Sequence, residues 1–240
     1  MELNVPDHIL AVILFVLLPI YGLWEYRRLK AQVKAGERGA RIRMYLQTMA
    51  VEWALSLAVL GLWVLSGRSM AGLGLGFETG TGFWIGGILT LAACGFLAMQ
   101  SAAVRRKRED LQALNEQLGP LRPMIPRDGR ESRLFSALSI TAGVCEEFLY
   151  RGYLIWYLSA HFDLWLAVVV SSLAFGLGHM YQGGRGIAKT GVVGLAFAGL
   201  YLLTGSLWAS MLLHAVVDLN SGYLGKRAIE GSSAPAERTA

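Results

Sequence analysis

The residues with the greatest chemical potential in this chain are Glu146 and Glu147, followed four positions later by Arg151, all inside an apolar run from Leu134 to Leu158. An acidic or basic residue at the centre of a bilayer costs about 2.5 to 3.5 kcal/mol, so three together cost on the order of 8 to 10 kcal/mol before any pairing. On a helix, Glu147 and Arg151 share a face and can neutralise one another, while Glu146 projects roughly 100° away. The simplest arrangement is one structural ion pair, Glu147 with Arg151, and one spare carboxylate, Glu146. Two further groups follow on later apolar stretches: Phe175 with His179, and His214 with Asp218, the members of each pair four residues apart.

Each group alone has an ordinary explanation. A single histidine at a helix end is more often interfacial than catalytic, His214 and Asp218 can form a local ion pair, and Phe175 can simply pack. Jointly, a spare glutamate, two histidines and another carboxylate suit hydrolysis. A carboxylate can act as general base on water, imidazoles can share that proton or polarise a carbonyl, and a further polar group can steady the oxyanion. The same set of Glu146, His179, His214 and Asp218 suits a divalent metal such as zinc, and spacing alone leaves metal-bound and metal-free water both open. The sequence lacks the His-Glu-x-x-His of helical zinc proteases, the Gly-x-Gly-Asp of membrane aspartyl proteases and a Gly-x-Ser-x-Gly elbow.

These residues need helices in a membrane to position them. Of 240 residues, 54% are hydrophobic and only 16% charged, which describes a polytopic membrane protein. The net charge of +5 comes mainly from two basic loops that flank apolar spans, so it speaks to topology and not to nucleic acid. Cys94 and Cys145 both lie in apolar spans and read as free thiols.

The predicted spans are Ile9 to Trp24, Tyr45 to Ser66, Phe83 to Val104, Leu134 to Ser159, Leu164 to His179, Ile187 to Leu203 and Leu207 to Tyr223. Between the first two, Arg27 to Arg43 holds seven basic residues against one acid, Glu37. The positive-inside bias sets this loop in the cytoplasm and the N-terminus outside. The Gly-rich connection with Arg68 and Glu78 is then external, and Arg105 to Arg133, with an interfacial helix in part of it, is cytoplasmic. Arg185 and Lys189 fall on a later cytoplasmic link, and Lys226 and Arg227 mark a cytoplasmic C-terminus. The expected fold is therefore all-α, a bundle of about seven spans. Its divisions are an N-terminal region at 1–133, a four-helix core at 134–225 and a disordered tail at 226–240.

Glu146-Glu147-x-x-x-Arg151, Phe175-x-x-x-His179 and His214-x-x-x-Asp218, in that order on successive spans, resemble the CPBP family of intramembrane proteases, also called the CAAX prenyl endopeptidase or Abi family. The likeness covers Leu134 to Tyr223. It implies a glutamate-dependent membrane endopeptidase in which Glu146 with His179 activates water and His214 with the last motif residue stabilises the oxyanion. Arg151 holds Glu147 in place, and the substrate is a membrane-anchored peptide or protein. This chain has Asp218 where many members have Asn. An ionised Asp cannot donate to an oxyanion, so Asp218 is protonated, orients His214 or helps bind a metal. The implied setting is the cytoplasmic membrane of a bacterium or archaeon, with a site opening below the cytoplasmic surface. Competing readings are a proton-coupled transporter, since buried Glu, His and Arg also make proton relays, and a non-catalytic immunity or scaffold protein of the same family.

Overall fold

Apolar side chains interrupted by few charges favour helices throughout, and in a computed structural model that describes residues 3–77 and 79–233 every regular element is helical. Helix α1 spans Val5–Lys34, α2 Ala40–Leu65, α3 Thr81–Val104 and α4 Arg108–Gln117. Helix α5 occupies residues 129–159, α6 Leu164–Gly178, α7 Gly183–Thr204 and α8 Trp208–Ser233. Among the described residues, α1, α2, α3 and the stretch Met180–Thr204 are long and apolar enough to cross a membrane, while α6 is a shorter apolar helix. Helix α4 lies where the interfacial helix was expected.

Several boundaries differ from the sequence expectation. Arg185 and Lys189 belong to the first turns of α7 and not to a link. Helix α8 does not end near Tyr223 but continues to Ser233, because Ala228 and Ile229 are buried and Ile229 packs with Leu118 and Ile125. Thus 226–233 of the expected disordered tail is helical, while 234–240 and Glu78 lie outside the described residues.

Helix α5 is the hub, packed on α8 and α2 through its first half and on α6 through its second. It begins at Gly129, five residues earlier than the hydrophobic run. Asp128 caps it by accepting from the Glu131 backbone N–H at 2.8 Å, and Glu131 reaches back to the Arg127 N–H at 2.8 Å. Its middle, Phe148–Leu154, is a π-helix. Ser171 of α6 donates to the Tyr150 carbonyl at 2.7 Å, supplying a partner from outside the helical ladder. A second π segment, Ile13–Leu17, precedes Pro19 in α1, where proline removes a backbone donor.

The far end of the bundle is tied by Asp7, fully buried, which accepts from Arg68 Nη1 and Nη2 at 2.8 and 2.6 Å and from the Tyr153 hydroxyl at 3.2 Å. The hydrogen bond with Asp7 raises the Arg68 guanidinium above its ordinary value.

Close approach of α5 to α8 depends on Gly143. A Cβ there would sit 2.8 Å from the Ala215 backbone nitrogen and 2.9 Å from the Met211 carbonyl oxygen. Backbone atoms cannot step aside as a side chain would. Gly143→Val is therefore expected to lower stability by about 1 to 3 kcal/mol, read as a reduced melting temperature in detergent.

Candidate active site

Glu146 and Glu147 end the α-helical part of α5, one turn before Arg151 in the π segment. Glu147 and Arg151 are 0% and 1% exposed and meet at 3.0 Å, Arg151 Nη1 donating to Glu147 Oε1. Arg151 Nη2 donates to the Gly194 carbonyl at 3.1 Å, and the guanidinium lies over the Phe175 ring at 4.1 Å. This is how the buried arginine is compensated: one charge partner, one carbonyl and one aromatic face. Gly194 is glycine for a local reason, since a Cβ there would approach Arg151 Nη2 to 3.0 Å.

The same Glu147 Oε1 accepts from His214 Nδ1 of α8 at 2.8 Å. Glu147 is therefore more than a brace for Arg151; it also orients an imidazole 67 residues away. With Nδ1 donating, Nε2 is the free edge of His214. That nitrogen lies 3.7 Å from Glu146 Oε2 and 3.7 Å from Asp218 Oδ2. Both separations exceed a hydrogen bond and suit a bridging water or substrate oxygen. Asp218 is partly exposed, whereas His214 is 5% exposed and stacks on Phe197 with ring centroids 5.1 Å apart.

His179 closes α6. Its Nδ1 donates to the Phe175 carbonyl at 3.0 Å, which leaves Nε2 as the basic nitrogen. Phe175 touches Tyr150, His179 and His214, with ring centroids 5.3, 5.0 and 5.9 Å away, and so separates the two imidazoles. His179 and Glu146 line one cavity of about 130 Å³, together with Tyr150, Glu52 of α2 and Glu25 of α1. The cavity lies toward the end of the bundle that bears the basic loops. Its floor includes Met124, held by Tyr45, whose hydroxyl donates to the Met124 carbonyl at 2.6 Å, and by Arg41, which donates to the Pro123 carbonyl at 2.8 Å.

All seven residues singled out in the sequence therefore converge: Glu146, Glu147, Arg151, Phe175, His179, His214 and Asp218. Two others belong with them. Glu52 is 6% exposed and lines the same cavity as Glu146; a lone acid inside an apolar span was the available signal. Phe197 shares the guanidinium of Arg151 and the ring of His214, and no motif marks it. Among the described residues, no group of three or more His, Cys, Asp or Glu side chains is spaced to hold a metal ion. In both His179 and His214 it is Nδ1 that donates to an oxygen, which leaves Nε2 open. Cys94 and Cys145 are free thiols.

Residues 131–220 match the family model described as Type II CAAX prenyl endopeptidase Rce1-like. All three motifs lie inside the match, which bears out the resemblance read from them. Together with the long apolar helices, this describes an integral membrane protein. No curated protein and no solved structure matches the chain.

Proposed function

Taking the CAAX prenyl endopeptidase match over 131–220 as the premise, we propose that this protein is an intramembrane endopeptidase that hydrolyses a peptide bond in a membrane-associated peptide or protein. The observation that carries this reading is the Glu146 carboxylate, its Oε2 buried and without a hydrogen-bond partner, in the lining of a cavity that it shares with His179. Glu146, supported by His179 Nε2, takes a proton from water while the water oxygen attacks the scissile carbonyl carbon. His214 Nε2, when protonated, donates to the resulting oxyanion, and Glu147 fixes the ring for that task. Collapse breaks the C–N bond, and the proton held by Glu146 passes to the leaving amine. Asp218, at 3.7 Å from Nε2, is placed to reach that nitrogen through a bridging water.

The seven-span topology, with the N-terminus outside, is part of the same proposal. It puts every basic loop, and the cavity end beside them, in the cytoplasm. The substrate then approaches from the cytoplasmic side of the bilayer, as a lipid-anchored or membrane-spanning chain; a CAAX prenyl endopeptidase family fits a prenylated one. A bacterial or archaeal cytoplasmic membrane is the proposed setting. Purified protein in liposomes is expected to cut a peptide with one apolar span, and His179→Ala to slow that cut by about 10²-fold or more. Equal rates for the two proteins, by chromatography of the products, would rule the reading out.

A further inference from the structure

We propose that the cavity beside Glu146 is a recognition pocket for a cationic side chain, lysine or arginine, close to the bond that is cut. This rests on the peptidase reading for its occupant but on separate residues for its chemistry. Three carboxyl groups from three helices line the cavity: Glu25 of α1, Glu52 of α2 and Glu146 of α5. In each, Oε2 is buried and has no hydrogen-bond partner. Glu25 and Glu52 are each only 6% exposed.

Water activation needs one of these carboxyl groups. Glu25 and Glu52 are surplus to it, and an unsatisfied buried carboxyl oxygen is costly to keep. Three such carboxyl groups lining one cavity are complementary to donors brought by a substrate. The protein's own nearby cation does not fill this role: Arg28 approaches Glu25 only to 3.6 Å, from a side chain 38% exposed at the outer edge. His179 is the other basic group in the lining, and its Nδ1 is taken by Phe175.

Shape and polarity agree with one long basic side chain. The volume of about 130 Å³ is well above the roughly 10 to 15 Å³ that admits one water. Leu18, Leu29, Met44 and Val51 offer apolar wall for a methylene stem, and the acids receive its head. Tyr26 and Tyr181, stacked with centroids 5.2 Å apart, add aromatic faces. Glu52 and Glu146 line the same cavity, so a cation seated on Glu52 shares that space with the reacting carboxylate.

The test uses the full-length protein in lipid nanodiscs and two readouts. First, two single-span peptides differ only in lysine versus norleucine, moved in turn through the positions around the cut. The lysine form is expected to have a kcat/KM at least about tenfold higher at one position. Glu25→Gln and Glu52→Gln, each checked for an unchanged melting temperature, are expected to shrink that ratio. Second, n-pentylamine is expected to bind the wild type more tightly than 1-pentanol, whether or not any peptide is cut. Peptides cut without regard to charge overturn the pocket and leave the peptidase reading standing. Amine binding with no cleavage of any peptide removes the peptidase reading and retains the cation site. An amine that binds no better than the alcohol overturns the proposal without reference to any variant.

Discussion

Glu147→Ala is expected to destabilise the protein by about 3 to 5 kcal/mol, the cost of leaving one member of a buried ion pair without its partner. The reason lies in what Glu147 Oε1 holds. It accepts from Arg151 Nη1 at 3.0 Å and from His214 Nδ1 at 2.8 Å, so its removal strands a guanidinium that is 1% exposed and frees an imidazole at once. The Gly194 carbonyl and the Phe175 face remain for Arg151, but neither carries charge to neutralise it. The double variant Glu147→Leu with Arg151→Met is expected to be more stable than Glu147→Ala, because no unpaired charge is then buried. Unfolding in mixed micelles checks both. A Glu147→Ala protein as stable as wild type would contradict the assignment. Activity is expected to fall in both variants, since His214 loses the group that orients it.

Glu146→Gln is the opposite case. Glutamine has the same shape, cannot accept the proton from water, and leaves the hydrogen bonds of Glu147 to Arg151 and His214 in place. Cleavage is expected to fall by about 10² to 10⁴-fold, the usual range for loss of a general base, with melting unchanged to within a degree or two. Stability is measured alongside the rate in the same detergent. A variant that loses rate and stability together would mean that Glu146 supports the fold, and the division of labour between the adjacent glutamates would fail. Asymmetry between neighbours in sequence is the signature of the mechanism: one carboxyl points into the bundle, the other into the cavity.

Much of this architecture is legible before any coordinates. The apolar runs mark the helices, and the spacing of four within Glu147-Arg151, Phe175-His179 and His214-Asp218 marks shared faces, because a helical turn is local. The parts that were not legible depend on contacts between distant segments. No spacing rule connects His214 to Glu147, and only the packing of α8 on α5 through Gly143 brings them to 2.8 Å. The π-helix at Phe148–Leu154 involves Ser171 of another helix. Phe197 sits among small residues in α7 and acquires its role only because α7 carries it over Arg151 and His214. Two further signals are local to the sequence. Asp128 and Glu131 form a capping pair that starts α5 five residues before the hydrophobic run, and Glu52 is a lone acid inside an apolar span.

The measurement that bears most directly on the central claim is an intact-mass spectrum of one single-span peptide after incubation with wild type and with Glu146→Gln, both in lipid nanodiscs. The account predicts two fragments whose masses sum to the peptide plus one water with the wild type, and the full-length peptide retained by the folded variant. The same two fragments from both proteins, in equal yield, would contradict it.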